Sequence, residues 1–182
     1  MVKIWYMNEN DEEDQRSERH LKPAHYIDLQ ELKQKTGVEY FAIDADNYES
    51  DGKLAVIRKE RNYTYSDFLE CSPKTLPDYC DKIKMFFKEH LHADEEIRFV
   101  LDGSGFFDVR DTDDKWIRIL VEKGDLIVLP AGIYHRFTLD NNDYIRVMRL
   151  FVGEPVWTPI NRPADEHPSR ATYLEKAAHK FE

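Results

Sequence analysis

The run HLHADEEIRFVLDGSGFFDVRD, residues 90–111, decides the fold. From residue 90 onward the side chains alternate with period two, the signature of strands, whose successive residues point to opposite faces. Leu91, Ala93, Ile97, Phe99 and Leu101 take one parity; His90, His92, Glu96 and Arg98 take the other, unless a turn at Asp94-Glu95 resets it. The same rhythm continues through WIRILVEKGDLIVLPAGIYHRFTL, residues 116–139. Segments 90–93, 96–101, 105–109, 116–121, 125–129, 134–139 and 144–152 are short and rich in branched or aromatic residues. Gly103, Gly105, the acidic turn 111–114, Lys123-Gly124, Pro130-Ala131-Gly132 and Asn141-Asn142 separate them. Seven short strands so closely spaced predict a mainly β sandwich or barrel, not βαβ units.

Working outward, residues 75–89 read as an amphipathic helix. Thr75 with Asp78 forms a cap, apolar residues fall at 76, 79, 80, 83 and 87, and Phe86 broadens the apolar face. Asp28 with Glu31 resembles a capping box, and Gly37 can stop the helix that follows. The apolar runs 38–43 and 54–57 read as strands or connectors. Beyond Trp157 the chain is turn-rich through Pro159, Pro163 and Pro168, with a short charged helix expected from about residue 170. The 182 residues suit a single domain, 1–182, with an N-terminal α/β extension and a C-terminal tail around a β core at 75–157.

Hydrophobic residues make up 41% of the chain, which suits a folded protein, and the formal charge is −10. That charge excludes general nucleic-acid affinity, because no basic stripe is available to displace counterions from phosphates. Cys71 and Cys80 are too few for a disulfide framework and read as reduced, partly buried thiols. The acidic N-terminus lacks the pattern of a signal peptide, and no apolar run approaches the ~20 residues that span a bilayer. The expectation is a cytoplasmic protein, small enough to enter the nucleus, that acts as a monomer on a small molecule, with no membrane or nucleic-acid partner.

The polar face of the 90–98 segment carries imidazoles and a carboxylate rather than Lys or Ser. These are donors to a borderline or hard divalent metal. His135 follows Glu96 by 39 residues, after Gly124, Pro130 and Gly132, and such an excursion returns the chain to a facing strand. A lone strand histidine is ordinarily a hydrogen-bonded core or surface residue. The His90-x-His92 pair, with Glu96 and a third histidine after a Pro-x-Gly-x-x-His turn, reads instead as one buried mononuclear metal site. Phe137 shares the parity of His135 and would line the same cavity. His20, His25, His167 and His179 lie in turn-rich or terminal segments without paired spacing and read as solvated.

His90-x-His92-x3-Glu96-x6-Gly103 resembles the first motif of the cupin superfamily, and Gly124-x5-Pro130-x-Gly132-x2-His135 resembles the second. Lys84 stands where the first motif usually opens with Gly, and Leu139 where the second often closes with Asn. A longer likeness runs through 90–111, 116–139, MRLFVGEPVW (148–157) and NRPAD (161–165), which together closely resemble the acireductone dioxygenase family of the methionine salvage pathway. The likeness is dense over 75–165, looser toward the N-terminus and weak in the tail. It implies a cupin-type double-stranded β-helix, a jelly-roll barrel with a few flanking α-helices.

The resemblance also implies one Fe(2+) or Ni(2+) per chain, held by His90, His92, Glu96 and His135 in octahedral geometry. Two adjacent positions stay open, whereas a structural zinc site would be closed. The implied substrates are acireductone, bound as a dianion through two oxygens, and O2. The iron form of the family gives formate and 4-methylthio-2-oxobutanoate; the nickel form gives carbon monoxide, formate and methylthiopropionate. Three neutral imidazoles and one carboxylate leave a divalent ion near +1, which attracts an anionic chelate to an acidic protein. Arg98 is the candidate catalytic and substrate-binding cation, its alternative role being a salt bridge to a nearby acid. Phe86, Phe137 and Trp157 are candidates for the apolar wall around the thioether tail, with core packing as their alternative role. Two other readings stand beside this one. One is a non-catalytic metal-binding cupin with a scaffold or regulatory role. The other is a cupin isomerase of sugar phosphates, which calls for more Lys and Arg in the cavity.

Overall fold

The structure is a computed structural model and describes residues 2–181. The chain runs β1 (Lys3–Met7), β2 (His20–Tyr26), α1 (Leu29–Thr36), β3 (Glu39–Ala42), α2 (Lys53–Arg61), β4 (Tyr65–Cys71), α3 (Tyr79–Phe87) and β5 (His90–Leu91). It continues through β6 (Glu96–Arg110), β7 (Trp116–Glu122), β8 (Asp125–Leu129), β9 (His135–Leu139), β10 (Ile145–Phe151), β11 (Ile160–Asn161) and α4 (Pro168–Ala178). All strand pairs are antiparallel. One sheet has the order β11-β5-β9-β6-β7-β1-β2, and the other β3-β8-β6-β10-β4.

β6 belongs to both sheets. Its first part, from Glu96 to Gly103, pairs with β8 and β10, and its second, from Ser104 to Arg110, with β7 and β9. The segments 96–101 and 105–109 that the sequence separated at two glycines are therefore one strand. At the crossing, Arg146 faces Asp102 while Val147 faces Val100, so Leu101 is an extra residue on β6. Such a bulge reverses side-chain parity. Val100 before it and Phe107 and Val109 after it all join the cluster between the sheets. Gly103 sits beside the bulge at φ +76, where a Cβ would lie 2.2 Å from the Tyr144 carbonyl oxygen.

The jelly roll buries its core between the sheets, where Val100, Val109, Ile117, Ile127, Leu129 and Leu139 meet. Ile97, Phe99 and Leu101 point the other way and pack under α2 with Leu54 and Ile57. Residues 54–57, read from sequence as strand or connector, are thus helical: four apolar residues alone carry too little period to tell the two apart. The Asp28 carboxylate accepts from the Glu31 N–H, and Gly37 closes α1 at φ 77. α3 is shorter than the 75–89 expected. Asp78 precedes it at φ 54 and makes no side-chain cap, and Thr75 belongs to a turn with Ser72. The strand expected at 90–93 is only β5, which leaves His92 outside it. β1, β2 and β4 are strands the sequence did not show. No helix among the described residues is long and apolar enough to cross a membrane.

Candidate metal centre

β5, the start of β6 and the start of β9 bring His90, His92, Glu96 and His135 together. One donor atom from each lies within 4.8 Å of all the others. His90 and His135 are cross-strand partners. Both are buried, at 7% and 2% exposure, while His92 and Glu96 are half-buried. Glu96 enters from β6 opposite Leu129.

Each imidazole turns its Nδ1 outward to a main-chain carbonyl: His90 to Lys88 (2.6 Å), His92 to Thr158 (3.1 Å) and His135 to Ile133 (2.9 Å). A carbonyl only accepts, so each Nδ1 carries the ring proton and each Nε2 presents a lone pair. In the neutral rings the Nε2 atoms of His135 and His92 then face Glu96 Oε2 at 2.9 and 3.2 Å with no proton between them. Lone pairs against a carboxylate repel unless a cation lies among them. Separations near 3 Å also match neighbouring ligands of one ion with bonds of ~2.1 Å. The donor set therefore fits a divalent metal.

Electrostatics agree with that fit. Burial and the neighbouring His135 push His90 down to about 4, which keeps it neutral and able to ligate. Burial alone would raise Glu96. The Arg98 charge, with His135 and His92, outweighs it and holds the carboxyl well below the usual carboxylate range. For His92 burial lowers the pKa, but the negative charge of Glu96 raises it by more, so this carboxylate draws a cation, proton or metal, to the His92 ring.

The cluster lines a cavity of about 310 Å³. Arg98, Phe86, Phe137 and Trp157 all line it. Arg98 places Nη2 3.4 Å from Glu96 Oε1, and its guanidinium lies 5.3 Å from the Trp157 ring centre. Phe86 meets Phe137 edge-on at 6.5 Å. Leu69, Cys71, Ile145 and Val147 line the cavity as well.

Arg149 also lines the cavity and was not singled out in the sequence. It pairs across strands with Arg98, stacks on Trp157 at 4.3 Å and binds Asp67 through two bonds of 2.7 and 2.6 Å. The parity of Ile145, Val147 and Arg149 was the available signal. Burial pushes the Cys71 thiol up to about 11, so it stays a thiol; Cys80, expected to be partly buried, is exposed. The remaining histidines are not uniformly solvated. His20 packs on Trp5 at 4.5 Å, and His167 caps α4 by accepting from the Ser169 N–H. His25 and His179 are exposed.

Fold and site together define a metal-binding cupin. The ARD/ARD′ family model matches residues 3–159, so the chain belongs to that family. Acireductone dioxygenase from Drosophila pseudoobscura pseudoobscura is 60% identical over 181 residues, covering 100% of this chain and 97% of that one. Acireductone dioxygenase from Ixodes scapularis is 62% identical, covering 96% of each. A solved structure of acireductone dioxygenase from Bacillus anthracis, with a cadmium ion in its active centre, matches with a TM-score of 0.71. It covers 88% of this chain and 98% of that one at 24% identity, and that likeness concerns the fold.

Proposed function

We propose that His90, His92, Glu96 and His135 hold one Fe(2+) or Ni(2+), and that the chain uses it to cleave acireductone with O2 in methionine salvage. The convergence of three imidazoles, their Nδ1 atoms turned to carbonyls, on one half-buried carboxylate carries this reading. When bound, the ion supplies a template and Lewis acid for the substrate oxygens. The protein's own groups do the rest. Arg98, a permanent cation beside Glu96, binds the dianion and stabilises charge that develops on oxygen. Arg149, neutralised in part by Asp67, sets the position of Trp157. Phe86, Phe137 and Trp157 hold the methylthio tail and exclude water. We also take the chain as one domain around the 75–157 core, and as a monomer.

Metal-stripped protein reloaded anaerobically with Fe(2+) or Ni(2+), then given acireductone and O2, tests the reading. Formate with the keto acid is expected from the iron form, and carbon monoxide from the nickel form alone. Full loading without O2 uptake would favour a metal-binding cupin that performs no oxidation.

A further inference from the structure

We propose that residues 158–165, which include the NRPAD run, form a strap that positions the three imidazoles, and that Arg162 and Tyr134 are the positioning residues through which it acts. The inference rests on the four-ligand reading above.

The strap touches each histidine or its chain neighbour. Among the described residues Thr158 is the partner of His92 Nδ1, at 3.1 Å, and His92 lies outside any strand, so the strap holds the side of the ring that faces away from Glu96. Ile160 and Asn161 pair with Leu91 and His90 as β11 against β5. β5 is two residues long; without β11 it would be an edge strand held only by the His90–His135 pairing. Two residues are too few to fix a register alone. Arg162 then locks the alignment. Its N–H donates to the Glu89 carbonyl at 3.1 Å, and its guanidinium donates to the Glu89 carboxylate at 2.8 Å and to Asp114 at 2.9 and 3.0 Å.

The far end of the strap seizes the other side of the site. The Tyr134 hydroxyl accepts from the Ala164 N–H and donates to Asp165, both at 2.8 Å. The Arg162 guanidinium lies over the Tyr134 ring at 4.4 Å. Tyr134 is fully buried. Glu89 and Tyr134 immediately precede His90 and His135, so one segment grips the chain beside both ligands and the ring of the third. Partners of this kind, which orient ligands without touching the metal, typically control affinity by 10–100-fold.

The test is Ni(2+) affinity, measured by competition with a chromophoric chelator at a temperature where the metal-free form of each variant is folded by circular dichroism. Arg162→Ala and Tyr134→Phe are each expected to weaken Ni(2+) by about 10-fold or more. Tyr134→Phe keeps the buried ring and leaves the charge unchanged, so its effect reports the hydroxyl's hold on the strap. Arg61→Ala, which breaks the similarly exposed ion pair with Glu39 beside α2, is expected to bind as the unmodified chain does. Unchanged affinity in both strap variants would overturn the proposal. So would a loss confined to Arg162→Ala, which also removes a charge near the site. An unmodified chain that takes up no stoichiometric Ni(2+) would instead overturn the four-ligand reading, and the strap's role with it.

Discussion

Arg98 shows how the role of one side chain can be separated from that of the proposed metal centre beside it. Burial pulls its guanidinium down from the ordinary value while Glu96 opposes that pull, yet the group stays a cation. Its contact with Glu96, at 3.4 Å, is longer than a full bond, so donors remain for an anionic substrate. Arg98→Ala is expected to keep full metal content and lose about 10²–10³-fold in kcat, roughly 3 kcal/mol of transition-state stabilisation. Metal analysis beside initial O2-uptake rates separates the two effects, and unchanged kinetics would return Arg98 to holding Glu96 in place. At this scale the sequence was informative: His90, His92, Glu96 and Arg98 all stand on one parity, and the structure puts all four on one cavity. The carbonyls that orient the rings were not legible, because Lys88, Thr158 and Ile133 contribute main-chain atoms that any residue would supply.

Elements were legible where they bury a regular face and obscure where they do not. β7 to β10 are close to fully buried, so branched residues mark them plainly. β4 alternates too, but its inward residues include Asp67 beside Arg149, polar because that face lines a cavity rather than a core. The turn before β9 shows how tightly one connection is fixed. Gly132 adopts φ +82, donates its N–H to the His92 carbonyl at 3.0 Å and accepts from Arg170 at 3.1 Å. A Cβ there would lie 2.2 Å from the Ser169 carbonyl oxygen of α4. Gly132→Ala therefore adds a main-chain clash to the cost of a left-handed backbone. It is expected to destabilise the metal-free chain by at least ~2 kcal/mol, a melting drop of roughly 5 °C or more. Gly52→Ala is the comparison. Its φ is +80 but nothing lies within 4 Å, so only backbone strain of about 1 kcal/mol is expected. Equal melting losses in the two variants would show that α4 yields freely at Ser169.

Across the whole molecule, the site joins parts of the chain that nothing local would hold together. Its four donors come from β5, the residue just after it, β6 and β9, and they rely on a strap near residue 160, so closing the site ties segments some 70 residues apart. The Leu101 bulge decides which face of β6 turns inward at each end of that assembly, and no sequence period announced it. The chain carries a formal −10, and the site concentrates three neutral imidazoles on one carboxylate, an arrangement that a divalent ion completes. A ligand that binds only the folded chain stabilises it by about 2.7 kcal/mol at 100 times its Kd. For a protein of this size that is a melting increase of roughly 5–10 °C on loading with Ni(2+). The sign of its pH dependence follows from the ligands, which must be deprotonated to bind. The increment is lost as pH falls from above the ordinary imidazole value, where Glu96 helps His92 take up a proton, toward about 4, where His90 follows, because protons then compete with the ion for the ring nitrogens. Melting curves of stripped and loaded protein at pH 7.5 and pH 5.0 check this. An increment that survives undiminished at pH 5.0 would mean that the ion is held by carboxylates elsewhere on this acidic surface, and that the three imidazoles serve the fold alone.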